Sequence, residues 1–238
     1  MENNSIKVGI VQENPIVGDI SGNTDLAISA INALLKEKPD VVLFTEMFLT
    51  GYPPEDLLFR EDLLESVDRA VALLSDKFPE IYLVLGYPRK KGKNLYNAAG
   101  VLHNGSLQSE YFKQELPNYK VFDEKRYFTP GKGPLLFEVK GKKIAVTVCE
   151  DIWHTKAIRQ ASKRGADLVL NLNASPFHRN KSSERQKLLV KHANNFSLPI
   201  VYANQVGGQD ELVFDGGSFV LNADRRLVAA SKQFVEDL

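Results

Sequence analysis

Two patterns that seldom share a sheet alternate along this chain, and together they narrow the folds open to it. Val41-Val42-Leu43-Phe44 is an unbroken apolar run, as expected of a strand buried on both faces. Lys7–Gln12, Ile81–Gly86, Leu168–Leu172 and Ile200–Val206 read as further strands, and amphipathic helices fall between several of them. That alternation points to parallel pairing. Yet Asn104-Gly105 sits between Asn97–His103 and Leu107–Phe112 and marks a hairpin. Lys140-Gly141-Lys142-Lys143 joins Leu135–Val139 to Ile144–Val148, and Asn222-Ala223-Asp224-Arg225 joins Ser218–Leu221 to Leu227–Ala230, as two more. Hairpins require antiparallel pairs, so a purely parallel doubly wound sheet is disfavoured. Mixed sheets layered against helices are expected.

Four helices are expected. Asn23 is placed to cap the first, with Leu26, Ala27, Ala30, Ile31, Leu34 and Leu35 as its apolar stripe. Leu64–Lys77 is the second, Thr155–Arg164 the third with Gly165 just past its end, and Ser183–Phe196 the fourth. No repeat or linker divides the 238 residues, which suit a single domain over 1–238. Thirty basic and thirty acidic side chains cancel, so no net basic field favours nucleic acid. The basic run Arg89-Lys90-Lys91-Gly92-Lys93 reads as a solvated loop. No apolar run approaches the ~18 residues needed to span a bilayer. The start, Met1-Glu2-Asn3-Asn4, is polar and unlike a secretory signal, so a cytoplasmic location without membrane contact is expected.

Cys149 is the single cysteine. An internal disulfide and a cysteine-rich zinc site are therefore excluded, and the four histidines form no metal-ligand pair. A lone cysteine is either buried and inert or a nucleophile. Cys149 ends an apolar strand and precedes a turn and a helix, where backbone N–H groups can lower a thiol pKa and hold an oxyanion. Glu46 and Lys113 also follow strands, and strand ends can converge on one site. A histidine base is poorly supported: His154 is an awkward reach from Cys149, and His178 and His192 lie in no motif. Val206-Gly207-Gly208-Gln209-Asp210 lacks the spacing of a phosphate-binding loop.

FTEMFLTGYPPEDLL around Glu46, YFKQELPNYKVFDEKRYFTPG around Lys113 and VTVCEDIW around Cys149 occur in the order of the Glu, Lys and Cys blocks of the nitrilase, or carbon–nitrogen hydrolase, superfamily, which the chain resembles from about Lys7 to Ala230. TGYPPEDLL, CEDIW, NASPF and YANQVGGQDELVFDGGSF are most similar to the glutaminase part of glutamine-dependent NAD synthetases. Lys120 departs from the pattern, since many relatives carry glycine there.

The resemblance implies a four-layer αββα sandwich. It also implies roles: Glu46 as base, Cys149 as nucleophile through a thioester, Lys113 and the Glu150 N–H as oxyanion donors, and Glu124 orienting Lys113 and the attacking water. Tyr119, Glu150, Trp153 and Ser175 would meet L-glutamine, with Phe177 a further wall. Arg179 or Lys181 would meet its carboxylate. The glycine-rich stretch would lie in a loop near the site. No cofactor is expected for glutamine hydrolysis. ATP and magnesium would serve a synthetase domain that receives the ammonia and whose SGGxDS-like signature is missing here; the sequence reads as the part preceding such a domain. A homo-oligomer is expected. A free-standing amidase for another small amide, or a non-catalytic assembly module, remain the alternatives.

Overall fold

The computed structural model describes residues 5–222, 224 and 226–238. The polar start at residues 1–4, and Ala223 and Arg225 of the last turn, lie outside the described residues. One sheet runs in the order β1 (Val8–Ile10), β2 (Val41–Leu43), β3 (Tyr82–Lys91), β4 (Asn94–His103) and β5 (Ser106–Phe112). The second sheet contains β6 (Leu135–Val139), β7 (Lys142–Val148), β8 (Leu168–Asn173), β9 (Ile200–Asn204), β12 (Phe219–Leu221) and β13 (Leu227–Ala230), in the order β13-β12-β9-β8-β7-β6. Each sheet has a parallel core, β1-β2-β3 and β7-β8-β9, extended by antiparallel strands. The mixture expected from the two sequence patterns is present in both halves.

Three apolar clusters define four layers. Leu43, Val84, Val101, Val146, Leu170 and Val201 meet between the sheets. Helices α1 (Ile20–Leu35) and α2 (Glu61–Lys77) cover the first sheet through Ile31, Leu34, Val67 and Leu74. Helices α4 (Thr155–Lys163) and α5 (Lys181–Phe196) cover the second through Ile158, Ala161 and Leu189. The alternation of strand side chains between two apolar surfaces explains the continuous hydrophobic runs: neither face of the central strands meets water. The result is the expected αββα sandwich. Among the described residues, no helix is long and apolar enough to cross a membrane.

Three local readings differ. Asp19, not Asn23, caps α1, accepting from the Gly22 N–H at 2.9 Å. Asn23 is buried and instead bonds Ile16 and Leu49, tying the helix to the loop that follows Glu46. Arg89, Lys90 and Lys91 are not a loop but the end of β3, and their charges are met by acids of α2 and β5: Arg89 pairs with Asp68 and Glu110, Lys90 with Glu61, and Lys91 with Glu110. The glycine-rich stretch is half of a two-stranded ribbon, β10 (Val206–Gln209) with β11 (Leu212–Asp215). Two glycines in strand composition thus gave no alternating signal to read.

Candidate active site

Glu46, Lys113 and Cys149 stand just beyond the ends of β2, β5 and β7, and all three are buried. Close backbone approach holds these ends together. A Cβ on Gly86 would lie 2.3 Å from the Thr45 carbonyl oxygen, so only glycine lets β3 pass beneath the segment carrying Glu46. A Cβ on Gly131 would lie 2.0 Å from the Phe112 carbonyl oxygen, beside Lys113. The Lys113 Nζ donates to Glu46 Oε1 at 2.8 Å and to Glu124 Oε1 at 2.7 Å. Glu124 opens the single-turn α3 (Glu124–Tyr127) and also accepts from the Tyr52 hydroxyl at 2.9 Å. Glu46 accepts from Asn97 Nδ2 at 2.8 Å and from the Ala174 N–H at 2.9 Å.

Cys149 has φ +42°, left-handed backbone that a residue with a Cβ seldom adopts. It starts a 3₁₀ turn, Cys149–Trp153, that leads into α4. Such strain costs of order 1–3 kcal/mol and persists only where surrounding contacts hold it. Here the holder is Asp151. Its carboxylate accepts from the Val148 N–H and the Tyr111 hydroxyl through one oxygen, and from the Gln114 and Glu115 N–H groups through the other. One fully buried side chain therefore fastens the chain before Cys149 to the chain after Lys113.

Cys149 opens into a cavity of about 340 Å³. Tyr119, Glu150, Trp153, Ser175, Phe177 and Lys181, the six expected substrate contacts, all line it. Tyr119 donates to Glu150 at 3.0 Å, and the Lys181 ammonium lies 3.8 Å from the Trp153 ring centroid. The lining thus carries the acidic Glu150 and Glu211 and the basic Lys120 and Lys181 along with the thiol. Arg179 is exposed and outside the lining. Glu211, Leu212 and Val213 bring the glycine-rich ribbon to the cavity, as expected. Among the described residues, no group of three or more His, Cys, Asp or Glu side chains is gathered as a metal cage.

The carbon–nitrogen hydrolase family model matches residues 7–238. The chain belongs to that family. Glutamine-dependent NAD(+) synthetases from Acinetobacter baylyi and Aquifex aeolicus are 39% and 40% identical to this chain over 98% of its length. It spans 43% and 41% of those two relatives, less than half of each. The structure of glutamine-dependent NAD+ synthetase from Acinetobacter baumannii, in complex with ADP, matches with a TM-score of 0.95 at 41% identity, over 98% of this chain and 44% of that one. An amidase from Nesterenkonia sp. shares the fold over the whole chain and 89% of its own, with a TM-score of 0.89 at 24% identity.

One electrostatic expectation for the site is reversed. The turn after Cys149 does not lower its thiol pKa: burial and the facing Glu46 carboxylate push it well above the usual range, against the pull of Lys113. The resting sulfur keeps its proton, and attack requires a base at the moment of bond formation. No histidine fills that place. His192 is buried against the Ile152 carbonyl, His103 stacks on Tyr82, His154 contacts Glu150, and His178 contacts Glu184. Burial would discharge Lys113, but Glu124 and Glu46 outweigh it and hold the ammonium charged.

Burial raises the Glu124 carboxyl to about 7 from 4.5, against Lys113 and with Glu46. The folded chain therefore binds an extra proton between those values. That contribution to stability is complete below about pH 4.5 and is lost as pH rises through about 7. Glu124→Gln, which cannot titrate, is expected to remove this downward slope from urea midpoints measured between pH 4.5 and 7.

Asn97, Tyr52, Asp151 and Arg185 were not singled out from sequence. Arg185 donates to both oxygens of Asp215, at 2.7 and 2.9 Å, and to the Ser175 carbonyl at 2.7 Å, bracing the loop whose Ala174 N–H meets Glu46. Asn97 and Arg185 are single polar residues within elements read by their apolar pattern, and Tyr52 and Asp151 lie in turns. The lone usable signal is a charge inside a buried stretch, as at Asp151 after Cys149. Lys120 has φ +54°, a left-handed conformation that glycine would adopt without strain.

Proposed function

We propose that this chain hydrolyses the side-chain amide of L-glutamine, releasing ammonia to a synthetase partner that uses it to form NAD. The observation that carries the reading is the lining around Cys149. Glu150 offers an anion for an α-ammonium group, and Lys181 offers a cation for an α-carboxylate, on one small cavity. A simple amide would need neither. The names of the relatives support the same substrate.

In this reading Glu46 takes the Cys149 proton as sulfur attacks the amide carbon. The carbonyl oxygen becomes an oxyanion, met by the Lys113 ammonium and the Glu150 N–H. Glu46 returns the proton to nitrogen, ammonia leaves, and a thioester remains. Water, deprotonated by Glu46 and oriented by Glu124, then attacks the thioester carbon; the carbon–sulfur bond breaks, glutamate leaves, and Glu46 returns the proton to the Cys149 sulfur. Glu124 suits that place: its Oε2 is buried and has no protein partner. A homo-oligomer in the cytoplasm belongs to the same proposal.

Glu150→Gln tests the substrate. It keeps the backbone N–H but removes the charge. KM for glutamine should rise about ten- to a hundredfold, the value of one charge-assisted contact, with a smaller change in kcat. Glutaramate, which lacks the α-amine, should be a poor substrate for the unmodified chain and insensitive to the substitution. Equal use of both amides would favour a general amidase. No hydrolysis by the full assembly would favour an assembly module.

A further inference from the structure

We infer that Asn97 is a positioning residue that selects which oxygen of Glu46 receives the Cys149 proton; this rests on the cysteine amidohydrolase reading above. Asn97 lies on β4 and is buried. Its backbone carbonyl accepts from the Lys113 N–H at 2.9 Å, and its Nδ2 donates to Glu46 Oε1 at 2.8 Å. One residue therefore sets the register of the lysine and touches the base.

A carboxylate oxygen offers two in-plane lone pairs. Glu46 Oε1 already accepts from Lys113 and from Asn97, so both its sites are filled. Oε2 accepts only from the Ala174 N–H and keeps one site free. The proton leaving the Cys149 sulfur must go to Oε2, and from there to the departing nitrogen. Without Asn97, Oε1 regains a free lone pair and the carboxylate can turn about its terminal bond. The second consequence is electrostatic. A donor on a buried carboxylate favours the charged form that can act as base.

The cost of keeping an asparagine here supports this assignment. Its Oδ1 is buried and finds no protein partner. A leucine of similar size would avoid that desolvation. The amide is useful only through the Nδ2 end, and that end meets the base.

The groups facing Glu46 are Lys113 beyond β5, Glu124 on α3, Cys149 beyond β7 and Tyr52 on the loop after β2. Asn97 is the one uncharged side chain among the donors to Glu46, so its replacement changes the base without removing an ion.

The test is the pH profile of kcat/KM for Asn97→Leu and Asn97→Asp. The acid limb should move up by about one pH unit in Asn97→Leu, the size expected for one hydrogen bond to a charged group. It should move further in Asn97→Asp, which keeps the shape but adds a carboxylate beside Glu46 to that of Glu124. At the foot of the limb the loss should be on the order of tenfold or more, shrinking as pH rises, with KM little changed. A uniform loss at every pH, or a change confined to KM, would assign Asn97 a merely structural role and overturn the inference. Alkylation of Cys149 by iodoacetamide, followed against pH, repeats the measurement with no amide substrate. If the unmodified chain does not hydrolyse glutamine, the substrate reading fails, yet the alkylation limb must still move in both variants. An unmoved limb there sinks the role of Asn97 alone.

Discussion

Cys149→Ala is expected to lower glutamine hydrolysis by at least about four orders of magnitude, to the background that binding and oxyanion donors alone supply. The size follows from the covalent route. Without sulfur there is no thioester, and water must attack an unactivated amide in one step. Cys149→Ser should be nearly as inactive. An alcohol holds its proton more tightly than a thiol, and the site raises even the thiol, through burial and Glu46. The fold should survive both changes, because the positive φ at Cys149 is held by Asp151 and the backbone around it rather than by the sulfur. Steady-state ammonia release, with thermal unfolding as the control, checks both parts. Residual activity within tenfold of the unmodified chain would remove Cys149 from the mechanism.

Lys113→Met should have the largest effect on stability. Lys113 and Glu46 are fully buried, and Glu124 nearly so. Removing one partner from a buried ion pair typically costs about 3–5 kcal/mol, because the remaining charge is left unpaired in a dry interior. Here two carboxylates would remain, facing each other without the cation between them. Burial already holds the Glu124 carboxyl at about 7, and without the cation it would rise further, so the penalty should be greatest at neutral pH. It should shrink as pH falls and both groups take up protons. Urea unfolding at pH 7.5 and pH 5 measures this. Hydrolysis should also fall, since the same ammonium is the oxyanion donor. Lys113→Arg restores charge but not shape in a fully buried site, and should recover stability less than completely.

How far such a site can be read from sequence depends on the kind of information each residue carries. Strand ends made Glu46, Lys113 and Cys149 candidates, and the resemblance of the blocks around them singled them out; the structure brings the three strand ends together. Mixed sheets layered against helices were legible because hairpin signals and continuous apolar runs coexist in one chain, whereas the four-layer order came from the family resemblance. Asn97 was not legible: it lies within β4, and its partner Glu46 follows β2, a strand that β4 does not pair with. Arg185 was hidden similarly, on a helix read by its apolar face, with its anion on a short ribbon strand. Arg89 was misread because a run of cations looks solvated until the acids opposite, Glu110 and Asp68, are known. The thiol was misread for a related reason. Helix-end geometry is local and visible, whereas burial beside Glu46 is a property of the assembled sheets.

The most direct test of a glutamine-hydrolysing cysteine is intact mass measurement after exposure to 6-diazo-5-oxo-norleucine, an electrophile shaped like glutamine. A single adduct on Cys149, slowed by added glutamine and lost in Glu46→Gln, is the predicted result. An unmodified chain that still reacts with iodoacetamide would contradict it, leaving a reactive thiol beside a cavity that does not recognise glutamine.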